Sequence, residues 1–454
     1  MKKIVLMVFS VLMATAALAQ VNKPKTITLT DKERQLVGSN NDFAFRLFRQ
    51  ARGEESSILS PLSITYALGM MNNGAAGQTQ REINDVLGFG DAGADGINQF
   101  CRKMLSEAPT LDEETTAEIA NTIYVNSGLG YELQEDFAKK AKEYYDATPE
   151  ALNFYDVDES IDIINQWGNE HTHGMIPQVL DNNTFNPDAT SYLLNALYFK
   201  GVWANKFDKA DTRNETFEHA GPDKYLLEVP MMRQRAGFEY TETDLYQAVR
   251  LPYGNGAYEM TIFLPREGKT IDDVLATMDG HHWQFQGNGF YSVDLKLPRF
   301  KTDKTIPLVK VMSELGMPTA FSIDAEFPYF GIRSVYISNM FQKAVIDLDE
   351  EGTKAAAITV IETNETSVGT FNEATFHANR PFFYVINESS TGTIFFMGQY
   401  LGDSTTGISQ TRNSDEAKEN TAVYDLQGRK VGTRQTSTLK KGLYLIGGKK
   451  VIVN

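Results

Sequence analysis

The sequence predicts an α+β fold, and two observations carry the prediction. Helical patterning fills most of the first third of the chain, whereas apolar runs bounded by Gly, Pro and Asn take over from about Tyr192. Helices and strands do not alternate regularly, which argues against a parallel doubly wound sheet and for mixed sheets with segregated helices. No internal repeat is visible.

Residues 1–19 read MKKIVLMVFSVLMATAALA: two lysines, an apolar run too short for a bilayer span, then Ala17-Leu18-Ala19. That is the pattern of a secretory signal cleaved before Gln20. Asn41-Asp42-Phe43-Ala44-Phe45-Arg46-Leu47 opens an amphipathic helical pattern. Ser60-Pro61-Leu62-Ser63-Ile64 opens another, with serine placed to cap it and proline at its first turn. Tyr192 to Phe199, Met260 to Leu264 and Val293 to Leu297 read as strands. Phe382 to Ile386 and Thr393 to Met397, joined by a polar turn, read as a hairpin. The boundaries that follow are a signal at 1–19, a main domain at 20–403, a polar linker at 404–420 and a small β module at 421–454.

The precursor carries a net charge of -16. The tail after residue 403 holds nine basic and four acidic residues and the signal two lysines, so residues 20–403 carry -23. An acidic body of this size disfavours nucleic acid, heparin-like polyanions and anionic membranes as partners. With one cysteine, Cys101, no intrachain disulfide can form, and an exported chain of this size must rely on its core. An exported chain without disulfides suggests a bacterial envelope or surface protein. Nothing near Cys101 in sequence supplies a base to activate it. No G-x-S-x-G, H-E-x-x-H or P-loop occurs, so no catalytic residues and no cofactor are expected. His171 and His173 flank Thr172, but two imidazoles alone do not make a metal site.

Chemistry concentrates between Glu350 and Ile361, which read Glu-Glu-Gly-Thr-Lys-Ala-Ala-Ala-Ile-Thr-Val-Ile. Gly352 frees the backbone, and the residues after it are small or β-branched. In a strand, Thr353, Ala355, Ala357, Thr359 and Ile361 share one face and Lys354 and Glu362 the other. Taken alone, the segment also reads as an ordinary buried strand after a turn.

Placed among the other motifs, this hinge resembles that of the serpin family, over about Asn41 to Tyr400. Ser60-Pro61-Leu62-Ser63-Ile64, Asn73-Gly74-Ala75, Val86-Leu87-Gly88-Phe89, Ala120-Asn121 and Ile164-Asn165-Gln166-Trp167 carry the first half of the likeness. Asn195 to Trp203, Leu251-Pro252-Tyr253, Leu297-Pro298-Arg299-Phe300, Leu315-Gly316-Met317 and Phe376 to Phe382 carry the second. The resemblance implies helices around three β-sheets and an exposed reactive loop that a target protease cleaves. The acyl-enzyme forms on the loop, the loop inserts into the main sheet, and the attached protease is distorted before it can escape.

By the same resemblance the hinge is Glu350, Glu351, Gly352, Thr353, Ala355, Ala356 and Ala357. The bait bond falls on Thr366-Ser367, within a window from Glu365 to Val368. A small β-branched residue there suits an elastase-like serine protease. Glutamyl-specific cleavage at Glu362 or Glu365 and a papain-like cysteine protease are the other targets this loop admits. Ser63 and Asn195 match shutter positions that hold the main sheet closed, Gln342 stands where the family usually has a histidine, and Trp203 marks the point where the loop enters the sheet. The competing role is that of satisfied core polar groups for Ser63, Asn195 and Gln342 and of plain core packing for Trp203. The expected partner is a protease in covalent complex, with the inhibitor acting as a monomer. A non-inhibitory binding or surface protein is the alternative. The tail resembles the C-terminal sorting domains of Bacteroidetes-type secretion, with a retained β appendage as its alternative.

Overall fold

A computed structural model describes residues 24–219, 226–284, 289–333, 335–353 and 372–402, and the backbone of 422–424, 430–433, 442–446 and 449–453. The signal segment 1–19, the linker 404–420, the hinge residues Ala355, Ala356 and Ala357 and the Thr366-Ser367 bond lie outside the described residues.

The first helix, α1, runs Asp31–Ala51, ten residues ahead of the sequence expectation. Thr30 and Glu33 form a capping box that starts it there. The short strand β1 (Ser57–Leu59) precedes α2 (Pro61–Asn72), which begins as expected: Ser60 caps it and Pro61 occupies the first turn. Next come α3 (Gly77–Val86), α4 (Gly93–Glu107), β2 (Thr116–Asn126), α5 (Glu135–Tyr145) and β3 (Thr148–Leu152). Helix α6 (Val157–His171) and strand β4 (Ser191–Val202) complete the first half.

The second half is mostly strand: β5 (Arg213–Glu218), β6 (Leu226–Glu242), β7 (Tyr246–Tyr253), β8 (Tyr258–Pro265), then the short helix α7 (Ile271–Leu275). After it run β9 (Phe290–Pro298), β10 (Phe300–Pro307), α8 (Val309–Leu315), β11 (Phe341–Asp349) and the two-residue β12 (Gly352–Thr353). Strands β13 (Glu373–His377), β14 (Phe382–Glu388) and β15 (Ile394–Tyr400) end the body. β14 and β15 are the expected hairpin.

Among the described residues the body's strands form two hydrogen-bonded sheets. The main one has the order β10-β11-β12-β4-β2-β3. The other follows β1-β15-β14-β8-β7-β6-β9-β13, with β5 on β6. Two of the three sheets implied by the resemblance are thus continuous with each other. The cause is β6, which pairs with β5 and β9 along most of its length and with β7 at its end. The tail forms its own antiparallel sheet from β16 (Ala422–Tyr424), β17 (Lys430–Thr433), β18 (Gly442–Ile446) and β19 (Lys449–Val453).

The faces of the main sheet bury different partners. Ile119, Ile123, Phe199, Ala344, Ile346 and Leu348 belong to the large core against the second sheet and α2. Tyr124, Tyr192, Leu194 and Phe341 lie on the opposite face, in a smaller cluster with Ile161 and Ile164 of α6. Strand alternation therefore fixes the inner face: odd-numbered positions on β4 and even-numbered ones on β11.

Candidate functional site: a cleft in the main sheet

Among the described residues, the strand pairing that links β11 to β4 runs through Gly352 and Thr353. Gly352 pairs with Asp349 and Val202, and Thr353 with Leu348 and Gly201. Below that junction lies a cavity of 500 Å³ between β4 and β11. Leu193 to Phe199 line one side and Phe341 to Ile346 the other, with Trp167 and Thr172 of the α6 region over it.

The hinge is held at the top of this cleft by several independent contacts. Thr353 is buried, and its hydroxyl lies 2.7 Å from that of Tyr253. Burial keeps the Tyr253 phenol protonated far above its ordinary range, the bond to Thr353 opposing this only in part. Trp203 stacks on Tyr253 at 4.4 Å and donates from its indole to Asp349 O at 3.0 Å. Its backbone amide donates to Glu351 O at 2.9 Å. Trp203 therefore both packs in the core and positions the hinge.

Gly352 has φ 149°, a region that favours glycine, and a Cβ there would sit 2.1 Å from Gly201 O. Asp349 accepts from the amides of Glu351 and Gly352 at 2.8 and 3.3 Å. Burial raises the Asp349 pKa, and these two bonds work against that rise. Glu350 is buried, accepting from Thr212 Oγ1 at 2.7 Å and from Arg299 at 3.4 Å. Glu351 lies 3.1 Å from both Lys206 and Lys209, and hydrogen bonds from these lysines pull its pKa down.

Midway down the cleft, the start of α2 reaches both walls. Gln342 on β11 accepts from Ser60 N at 2.8 Å and donates to Ser60 O at 2.9 Å. Ser63 donates to Asn195 Oδ1 on β4, and Asn195 Nδ2 donates to Asn121 Oδ1 at 2.7 Å. Asn121 in turn donates to Tyr145 O at 2.7 Å. Ser63, Asn195 and Gln342 are thus linked through Ser60: one helix turn ties β11 by Ser60 and β4 by Ser63.

The contacts of Tyr253, Lys206, Lys209, Arg299, Ser60 and Asn121 were not legible as such. Tyr253, Arg299, Ser60 and Asn121 lie inside motifs quoted above, while nothing in sequence marks the two lysines.

The remaining candidates have structural settings. Cys101 is fully buried, which pushes its thiol well above the ordinary value and suppresses the thiolate. His171 stacks on Trp167 at 4.5 Å, and His173 lies 2.9 Å from Glu118, a carboxylate the sequence did not place there. Among the described residues no three His, Cys, Asp or Glu side chains gather as a metal site.

A family profile described as Serpin (serine protease inhibitor) matches residues 38–402. The chain is a serpin. It is 30% identical over 410 residues to Iripin-8 of Ixodes ricinus, covering 85% of this chain and 96% of that one. Of solved structures, the thermophilic serpin tengpin in its native state superposes with a TM-score of 0.72 at 28% identity, covering 83% of this chain and 96% of that one. Human thyroxine-binding globulin, solved in complex with thyroxine, superposes with a TM-score of 0.71 at 26% identity over 82% of this serpin and 99% of that chain. The cleft between β4 and β11 accordingly lies in a serpin main sheet.

Proposed function

We propose that this serpin is a secreted protease inhibitor that traps its target by cleavage of the 354–371 loop at Thr366-Ser367, acyl-enzyme formation and insertion of the loop between β4 and β11. The observation that carries the reading is the seating of Gly352 and Thr353 between those strands. Carried forward in the same antiparallel register, residue 355 falls opposite Phe199 and Ile346, 357 opposite Leu197 and Ala344, and 359 opposite Asn195 and Gln342. Positions 355, 357, 359 and 361 then face the core, and they are Ala, Ala, Thr and Ile. Small inward residues let insertion begin quickly, and Thr359 brings a hydroxyl to the shutter polar groups.

The driving force is adequate. About ten residues gaining hydrogen bonds at 0.5 to 1.5 kcal/mol each give roughly 5 to 15 kcal/mol, a range that matches the stability of a whole domain. Added burial of Ile358, Val360 and Ile361 favours insertion, while ordering the loop opposes it.

The target is an elastase-like serine endopeptidase, since Thr366 is small and no Arg or Lys lies between Ala355 and Asn379. The protein acts as a monomer without nucleic acid or heparin, in keeping with its acidic body. Residues 1–19 direct export, and the 421–454 module directs delivery to the surface of a bacterial cell. Deleting 421–454 and fractionating cells tests that role, which unchanged surface delivery would refute. The likeness to thyroxine-binding globulin favours a second reading, a non-inhibitory carrier. Incubation with a protease panel followed by denaturing gel electrophoresis separates the two. A band at the combined mass supports inhibition; cleavage without it supports the carrier.

A further inference from the structure

We infer that Tyr145 is a positioning residue for the opening of the main sheet: its hydroxyl, received by the buried pair Asn98 and Asn73, pins the β4 side of the cleft to the far end of α2. The inference rests on the inhibitory reading, in which a strand enters the cleft, and adds a second restraint to the contact between Ser63 and Asn195.

Strand pairing divides the cleft into two sides. β4 pairs with β2 from Ser191 to Lys200, with Asn195 opposite Asn121, and β3 pairs with β2 in parallel. The end of α5 belongs to this block. Asn121 donates to Tyr145 O at 2.7 Å, and the chain leaving α5 enters β3, where Thr148 pairs with Thr122. α2 belongs to the opposite side. Its cap residue Ser60 holds Gln342 of β11 through two hydrogen bonds, and Leu62, Tyr66, Leu68 and Met70 are buried in the large core.

Two hydrogen-bonded routes cross from the β4 side to α2. One is the contact of Ser63 with Asn195, in the first turn of the helix. The other reaches its opposite end. Tyr145 donates its hydroxyl to Asn98 Oδ1 on α4 at 2.7 Å. Asn98 and Asn73, the residue that caps the C-terminus of α2, exchange amide bonds at 2.8 and 2.9 Å. Asn73 also donates to Gly69 O at 3.1 Å. All three side chains are buried, and burial raises the Tyr145 pKa, which keeps the phenol a donor. Gly69 stands inside α2, where glycine weakens a helix relative to alanine. A Cβ there would lie 2.7 Å from the Tyr145 hydroxyl and 2.5 Å from Ile97, so the glycine makes room for this contact. From Ser63 through Asn195, Asn121, Tyr145 and Asn98 to Asn73, the bonds close a circuit anchored at both ends of one helix.

A strand seated along the cleft sets β4 and β11 about 9.5 Å apart, two strand spacings. The β4 side must then slide over α2, and both routes resist. Losing one of them eases entry of the uncleaved loop.

The test uses the full chain carrying Tyr145→Phe, which keeps the ring and its edge contact with Tyr66. The control is Tyr66→Phe. It removes another buried hydroxyl bond, to Cys101 O at 2.7 Å, that joins α2 to α4 without touching the β4 side. Melting temperature checks the fold of each variant. On warming below the melting point, Tyr145→Phe is expected to convert from intact chain to uncleaved inserted form about two- to tenfold faster than the parent, the span that one hydrogen bond carries. Tyr66→Phe should convert at the parent rate. Asn73→Ser, which breaks the asparagine pair, should accelerate conversion likewise, and it carries the test if Tyr145→Phe does not fold. Conversion of these variants at the parent rate would overturn the inference and leave the inhibitory reading standing. Equal acceleration by Tyr66→Phe would assign the effect to general loss of stability and overturn it as well. A parent chain that neither converts on warming nor gains thermal stability when its loop is nicked would overturn both.

Discussion

The hydroxyls of Thr353 and Tyr253 meet at 2.7 Å beneath the main sheet, so the first inward-facing loop residue is already docked. Tyr253→Phe leaves the Thr353 hydroxyl buried without that partner, at a cost of about 1 to 3 kcal/mol to the seated hinge. Hydrogen exchange at the Gly352 and Thr353 amides should accelerate by about tenfold or more. Unchanged exchange would show that the bond does not hold the hinge.

Gly352 is seated in a backbone region that other residues resist, with Gly201 O where its Cβ would be. Gly352→Ala is expected to expel the hinge from between β11 and β4, because both strain and collision oppose seating. Limited proteolysis of the intact variant should then cut near residues 350–356 faster than in the parent. Equal cutting would mean that the hinge tolerates a side chain.

Thr359 falls opposite Asn195 and Gln342 when the register is carried forward. Thr359→Arg would bury a guanidinium beside polar groups that Ser60, Ser63 and Asn121 already occupy. Insertion should stall there, converting inhibitor into substrate. Gel analysis is expected to show cleaved chain and little covalent complex; an undiminished yield would place Thr359 elsewhere.

The hinge acids respond to pH in opposite senses. Lys206 and Lys209 lower the Glu351 pKa in the folded chain, so this contribution is complete above the ordinary glutamate value and is lost as pH falls through the lowered one. Asp349, raised by burial, gains instead as it is protonated. Lys206→Ala with Lys209→Ala removes the first effect alone. Hinge exchange in this double variant should be faster than in the parent at pH 7 and converge with it as pH falls through the lowered Glu351 value. Gln342 does not titrate, so the shutter adds no step between pH 6 and 7, where conversion of intact chain to an uncleaved inserted form should stay flat.

The parts of the site legible in sequence were those with a local signature. Ser60-Pro61 announces a capped helix, and Gly352 announces a backbone that other residues resist. Asn195 and Trp203 stood out through their motif. What escaped depends on pairing across long separations. The seating of Thr353 requires Tyr253, a hundred residues earlier, and Glu351 meets two lysines from the turn after β4. Likewise, the early start of α1 was missed because the capping box at Thr30 precedes the apolar pattern. The fusion of two sheets depends on how far β6 runs, which local alternation does not reveal.

The most direct test compares thermal unfolding of the intact chain with that of the chain nicked at Thr366-Ser367. Insertion between β4 and β11 predicts that the nicked form melts higher by about 10 °C or more. Identical melting temperatures would contradict it, because severing the loop would then have released no segment able to complete the main sheet.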